Sequence, residues 1–280
     1  MEKEEQLKEW EPNIVAVFKR IMGWDVTPRI YYTSSSDFRQ KRKEIVEKID
    51  CRDTDCDDTE SDICAMEFIR GEKEDAILVK TDSPACENEK IFSRCIWHEL
   101  GHFVILAEED PEFRHYMEED LPWDEYTMLG HWFWGEFAAE AIAFYVADEN
   151  RKASGNFGPE KGDWPPQLKK STFNTLSIVA NDALQHMNFS LFIHALSSYY
   201  ARLLKDCIYI SYRKAEPGKE ATAISTVPKD YQELMYGLLE ILEGRMKYED
   251  FWNGDLDLFQ KIGYVISELR LIQSLEALCG

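Results

Sequence analysis

The hydrophobic residues near the start of the chain recur every three or four positions, which is the spacing of an α-helix. Within residues 4–22 this stripe consists of Leu7, Trp10, Ile14, Val17, Phe18 and Ile21. Pro12 either kinks the helix or marks its start, because proline fits best in a first turn. A β-prone run follows at residues 29–33, and the polar residues 34–37 predict a cap for a helix that reaches about residue 49.

Two further β-prone runs are predicted to form a hairpin. They cover residues 63–70 and 76–80, and the polar segment between them begins with Gly71. Most of the second half of the chain has helical periodicity instead. Its helical segments are residues 167–186, 189–205, 229–246 and 256–277.

The boundary between these two parts is predicted from glycine and proline. Residues 153–166 contain three of each, which is typical of a linker. The sequence therefore predicts an α+β chain that is mostly helical. Its first domain would occupy residues 1–152, and an all-helical C-terminal region at residues 167–280 would pack on that domain.

A candidate metal site lies in the segment His98-Glu99-Leu100-Gly101-His102. Residues i and i+4 of a helix share a face, so His98 and His102 can direct both imidazoles at one ion. Glu99 follows the first histidine and is placed to hold a metal-bound water and to accept its proton. The flanking residues are apolar on nearly every side, which predicts a helix buried at the centre of a domain.

A catalytic zinc site usually has a third protein ligand, and the best candidate is Glu136. One stripe at helical spacing contains Glu136, Glu140, Ala143 and Ala147. The alanines let another helix approach closely, so both carboxylates would face that helix and need a counter-charge such as a metal dication. Glu140 is the alternate ligand, or it accepts the ring N–H of a ligating histidine. His115 and His131 are further possibilities.

Together these motifs resemble those of the gluzincin-type zinc metallopeptidases. His98-Glu99-Leu100-Gly101-His102 followed by Glu136-x-x-Ala139-Glu140-x-x-Ala143 is similar to the motifs of HtpX-type and ImmA/IrrE-type peptidases. The resemblance covers residues 63–148 and implies a zincin-like fold, in which a small antiparallel-edged sheet packs on the active-site helix and a glutamate helix. It implies that His98, His102 and Glu136 bind zinc and that Glu99 is the general base. Glu140 departs from the family pattern, which has Asp or Asn at that position.

The predicted function is that of a zinc-dependent metallopeptidase, which hydrolyses peptide bonds with a metal-activated water and with Glu99 as general base. A further donor would stabilise the transition state, and the candidates are His131, Tyr126, His194 and the pair Tyr199-Tyr200. The run at residues 76–80 ends shortly before the histidine helix. It is either an edge strand that pairs with an extended peptide or a strand of the core.

Two other functions remain open at this point. The first is a non-catalytic zinc-binding, protein-interaction protein with a zincin-derived fold. The second is a structural helical protein in which the histidine motif is a coincidence. Measured zinc content would distinguish the structural helical protein from the two zinc-binding functions. Peptide cleavage would then distinguish a peptidase from a non-catalytic zinc-binding protein.

Charge and composition narrow the choice of partners. The 280 residues carry a net charge of −21, which repels nucleic acid and attracts basic segments of a peptide or protein substrate. The charged start of the chain is unlike a secretory signal, and no apolar run is long enough for a bilayer. Seven cysteines without regular spacing favour reduced thiols. We therefore expect a cytoplasmic protein with Zn²⁺ as cofactor and no membrane partner.

Overall fold

The computed structural model describes residues 2–25, 27–50, 65–107, 125–155, 236–238, 240–241 and 254–267. Its helices are α1 (Glu2–Met22), α2 (Phe38–Ile49), α3 (Glu89–Ala107), α4 (Glu125–Ala153) and α5 (Leu256–Ser267). Its strands are β1 (Arg29–Thr33), β2 (Met66–Ile69) and β3 (Ala76–Lys80). The described residues are thus mostly helical, with one small mixed sheet.

Several sequence predictions lie outside this part of the chain. They concern the linker beyond residue 155, the helices at residues 167–186 and 189–205, and most of the helix at residues 229–246. The start of the last predicted helix is confirmed by α5. None of the helices that the structure describes is both long enough and apolar enough to cross a bilayer.

Packing divides the chain into two compact units. The first comprises Met1–Ala107 and Ile142–Phe157, and the second comprises Glu108–Ala141 and Gly158–Gly280. Helix α4 contributes residues to both units. The domain limits predicted from the sequence, at residues 152 and 167, stay a prediction.

In the first unit, α1 has the predicted apolar stripe. Leu7, Ile14 and Phe18 are buried, and Pro12 lies within the helix at an exposed position. Because Pro12 faces outward, water can bind the carbonyl group that its missing N–H leaves open. The indole N–H of Trp97 donates to the Ile14 carbonyl oxygen at 3.1 Å, which ties α1 to α3.

The sheet has three strands in the order β1–β3–β2. β1 runs parallel to β3, and β2 runs antiparallel to it, which confirms the predicted hairpin. Of the two roles considered for residues 76–80, the edge strand is wrong and the core strand is confirmed. β3 is the central strand, with hydrogen-bonded neighbours on both sides and all 5 of its residues buried.

Helices α2 and α3 cover opposite faces of this sheet. Successive side chains of a strand point to opposite faces, and Leu78 of β3 packs with Phe38 of α2. Phe68 of β2 pairs with Ile77 and therefore lies on the other face, where its ring contacts that of Phe103 in α3 at a centroid distance of 6.4 Å. Helix α3 thus packs on this face of the sheet and contacts β2.

In the second unit, α5 crosses the beginning of α4 at two glycines. A Cβ atom on Gly130 would lie 1.7 Å from the Phe259 carbonyl oxygen, and one on Gly263 would lie 1.7 Å from the Tyr126 carbonyl oxygen. The two backbones therefore touch directly, and glycine is required at both positions. Beside this crossing the His131 ring packs edge-on against Phe259, with a centroid distance of 5.2 Å.

We predict that Gly130→Ala lowers the free energy of unfolding by about 2–3 kcal/mol, because a methyl group there must push two backbones apart. Gly135→Ala is the matched control in the same helix, since nothing lies within 4 Å of its Cβ position. That control should raise the free energy by about 0.5–1 kcal/mol, because alanine favours the helix. Chemical denaturation followed by circular dichroism measures both changes. Equal effects of the two substitutions would contradict the direct backbone contact between α4 and α5 at Gly130.

Candidate metal centre

Helix α3 is buried on one side and partly exposed on the other. The buried side consists of Phe92, Ser93, Ile96, Trp97, Leu100, Gly101, Phe103, Val104 and Ile105. His98, Glu99 and His102 are half-buried on the remaining side. The helix begins after Asn88, whose side-chain oxygen accepts the backbone N–H of Lys90 at 2.9 Å and caps the first turn. Since the sheet and α1 hold the buried side, the three polar residues are directed away from the core.

The two histidines of α3 face each other through equivalent ring atoms. Their Nε2 atoms are 3.1 Å apart, and the ring planes are inclined by 86°. Two nitrogen ligands about 2.0–2.1 Å from a tetrahedral zinc ion would be about 3.3–3.4 Å apart. The observed separation is close to that value, so the pair could serve as two ligands of one ion.

Glu136 of α4 completes a group of three metal-ligating side chains. One ring nitrogen from each of His98 and His102 and one carboxylate oxygen of Glu136 lie within 4.8 Å of one another, and all three residues are half-buried. In the part of the chain that the structure describes, no second group of His, Cys, Asp and Glu meets this condition. The structure therefore has a His98–His102–Glu136 cluster that could bind a metal ion.

The chemistry of this cluster fits a divalent ion that takes nitrogen and oxygen ligands. Two neutral imidazoles and one carboxylate supply three donors, and partial exposure leaves room for a further ligand. Cys86, which lies just before α3, does not belong to this group. Burial raises the pKa of its thiol to about 11, and the thiol lies 3.2 Å from the Lys80 carbonyl oxygen in hydrogen-bond contact.

Glu140 lies one turn after Glu136 on the same face of α4 and is only 8% exposed. It does not belong to the group of three, so the structure favours Glu136 over Glu140 as the third member. A buried carboxylate is costly unless a donor or a cation faces it. Acceptance of a ring N–H of a ligating histidine by Glu140 would meet this requirement, and that role stays a prediction.

The other candidate residues are not brought into this group. His131 packs against Phe259, and Tyr126 is 43% exposed beside Tyr264. Tyr126 precedes Glu136 by ten residues, which is about 15 Å along a helix axis. The transition-state donor thus stays unassigned among the described residues. The ligand candidate His115 and the donor candidates His194, Tyr199 and Tyr200 lie outside the described residues.

One contact near the cluster was not anticipated from the sequence. The guanidinium carbon of Arg94 lies 3.9 Å from the ring centroid of Phe144, which joins α3 to the later part of α4. Arg94 precedes His98 by four residues and therefore shares its face of the helix. The same spacing rule that identified the histidine pair could have identified Arg94.

Comparisons of the chain with protein-family models, with curated proteins and with solved structures found no match. The motifs and the structure agree that two histidines one helical turn apart and a glutamate from a second helix form a cluster that could hold a metal ion.

We predict that the purified protein holds about one metal ion per chain and that the double change His98→Ala/His102→Ala abolishes binding. Glu136→Gln should weaken binding by about a hundredfold or more, since loss of a supporting partner alone costs about 10–100-fold. Emission spectrometry of dialysed protein measures the metal content, and titration with zinc measures the affinity.

Glu149→Gln is the matched control, because it makes the same change on the same helix at a residue that pairs with Lys152 at 2.6 Å instead. It should leave the metal content unchanged. Unaltered binding in the Glu136 variant together with lost binding in Glu140→Gln would show that the third ligand is Glu140.

Proposed function

We propose that this chain is a zinc-dependent metallopeptidase of the gluzincin type. The single observation that supports this most strongly is the His98–His102–Glu136 cluster, because it combines the helical His-Glu-x-x-His motif with a glutamate from a second helix. Two histidines and a glutamate form the ligand set of a catalytic zinc site that keeps a position open. A structural zinc site would more commonly use four cysteine or histidine ligands.

The fold around the cluster supports the same proposal. A zincin-like domain needs a small sheet against the histidine helix, and here β2 contacts α3 while running antiparallel to β3. It also needs a second helix that supplies the glutamate, which is α4 in this chain. We therefore interpret the first unit, together with α4, as a zincin-like fold.

Each residue of the cluster has a proposed role. His98, His102 and Glu136 would hold Zn²⁺, which supplies a Lewis acid that polarises a carbonyl group and lowers the pKa of a water molecule. Glu99 is half-buried beside His98, and its carboxylate would accept the proton of the attacking water and deliver it to the leaving amine. Glu140, buried one turn beyond Glu136, would accept a ring N–H of a ligating histidine and fix its orientation.

The proposed substrate is a peptide in an extended conformation. β3 has no free edge, so the strand that could receive it is β2, which pairs with β3 alone among the described strands and contacts α3. Addition of a peptide strand to β2 would bring its backbone alongside the histidine helix. The net charge of −21 would favour substrates with basic segments.

A second candidate is a zinc-binding protein that recognises partners without cleaving them. The observation in its favour is the exposure of Tyr126, Tyr236 and Tyr264 in the second unit, at 43%, 47% and 58%. Tyrosine is enriched at the centres of protein–protein interfaces. Zinc content without cleavage of any peptide would favour this candidate.

We predict that Glu99→Gln retains zinc and lowers peptide hydrolysis by about 10²–10⁴-fold, because the amide cannot accept a proton. Cleavage of a fluorogenic peptide library and zinc content are measured on the same preparation. Glu89→Gln is the matched control in the first turn of α3, at an exposed position far from the histidines, and it should retain both. Undiminished hydrolysis in zinc-loaded Glu99→Gln would exclude the proposed mechanism.

A further inference from the structure

The outer edge of β1 carries backbone groups that the sheet does not use. Hydrogen bonds at the two ends of the β1–β3 pair show which residues bond to β3. The Arg29 N–H donates to the carbonyl oxygen just before β3 at 3.0 Å, and the Thr33 carbonyl oxygen accepts the N–H just after β3 at 2.8 Å. Because successive residues of a strand direct these groups to opposite edges, those of Ile30 and Tyr32 face away from β3. No hydrogen bond from the described part of the chain reaches them.

This outer edge is partly exposed along its whole length. No residue of β1 is buried, whereas all 5 residues of the neighbouring β3 are. Pro28 before the strand has no N–H, and the Ser34 carbonyl oxygen after it accepts the Asp37 N–H at 3.2 Å. Ile30 and Tyr32 are therefore the residues of this edge that offer both groups. An edge with unpaired N–H and C=O groups is a template for a strand of another chain.

The two ends of β1 differ in charge. Arg29 at its start is exposed, and the neighbouring Asp75 carboxylate accepts a backbone N–H at 3.2 Å. Beyond the other end, Asp37 and Asp82 are exposed. The hydroxyl group of Ser35, two residues after β1, donates to the Asp82 carboxylate at 2.7 Å and holds the pKa of Asp82 below its ordinary value. The strand thus begins beside a cation and ends beside two anions.

These features favour a second copy of the chain, paired in the antiparallel direction. A two-fold axis at Tyr31 would place Ile30 of each copy opposite Tyr32 of the other, and both residues of such a pair exchange N–H···O bonds. The two Tyr31 rings would be cross-strand neighbours on the opposite face. The positive start of each β1 would lie beside the negative end of the other, whereas a parallel arrangement would bring like charges together.

We propose that this chain forms a two-fold dimer through the outer edges of its two β1 strands, which join the two sheets into one. Each copy uses its β1 edge once, so this contact closes and does not propagate. The charge of −21 on each copy opposes association, but charges more than about 8–10 Å apart are largely screened at physiological ionic strength. Since the shared edge is short, we expect a weak, reversible dimer. The inference does not depend on the metal centre.

Sedimentation velocity over a wide range of protein concentration measures the dimer dissociation constant. Ile30→Pro should raise that constant about 100-fold or more, because proline removes the outward N–H and places its ring at the edge. The bonds of β1 to β3 do not use this N–H, and proline is tolerated at such edge positions. Ile30→Ala is the matched control. It shortens the same side chain but keeps the N–H, so it should raise the constant about tenfold or less.

Charge reversal tests the direction of pairing. Arg29→Glu should raise the dissociation constant about tenfold, because its carboxylate would face the anions at the end of the other strand. Adding Asp37→Lys to Arg29→Glu should restore much of the affinity, because both ends are then reversed. Lys43→Glu is the matched control, since it makes the same change of net charge at an exposed position on α2 and should leave the constant unchanged.

Amide hydrogen exchange identifies the strand edge that pairs. Protection of the Ile30 and Tyr32 N–H groups should rise with protein concentration, whereas the Tyr31 and Thr33 N–H groups, which bond to β3, should be protected throughout. Circular dichroism and the unfolding temperature show that each variant is folded. If Ile30→Pro does not fold, charge reversal and hydrogen exchange decide.

Three results would overturn the inference. The first is a chain that stays monomeric at every concentration, which would leave the edge to a strand of a different protein. The second is a dimer that forms equally well in Ile30→Pro and Arg29→Glu, which would place the interface elsewhere. The third is protection of the Ile30 and Tyr32 amides that does not change with concentration, which would show that this edge is covered within one copy.

Discussion

The separation of the two histidine nitrogens is the constraint on which the site depends. Two neutral imidazole Nε2 atoms 3.1 Å apart repel each other if both present lone pairs, and this repulsion is relieved when one nitrogen carries a proton or when both bind one cation. The Glu136 carboxylate on the same side adds negative charge and favours the cation. Binding of an ion would therefore stabilise the folded protein, because the ligands converge only when α3 and α4 are in place.

The fold maintains the arrangement of the two histidines by packing the opposite side of α3 against the sheet and α1. Phe103 packs on Phe68 of the sheet, and the Trp97 indole is hydrogen-bonded to the backbone of α1. With these contacts on one side, the helix cannot rotate without exposing its apolar residues, and the histidines keep their direction. The sheet is in turn covered by α2 on its other face, so the histidine helix packs on a sheet that is buried against apolar side chains on its far side.

The sequence predicts those features that depend on local spacing. The histidine pair, the Glu136 stripe and the hairpin all follow from residues a few positions apart, and the same rule applied to Arg94 would have placed it beside His98. Features that depend on residues far apart in the chain could not be predicted from the sequence. β3 became a central strand because β1, which precedes it by more than forty residues, pairs with its other edge. Gly130 approaches Phe259 and Gly263 approaches Tyr126 across a still longer separation, and an isolated glycine does not reveal its partner.

The overall charge and the metal centre would act at different stages of substrate recognition. Fields from exposed charges decay over about 8–10 Å at physiological ionic strength, so the charge of −21 mainly affects how fast a basic peptide arrives. A contact of the peptide with the metal centre would form only after arrival and would mainly affect how long the peptide stays. Salt should therefore slow its association more than it speeds its dissociation.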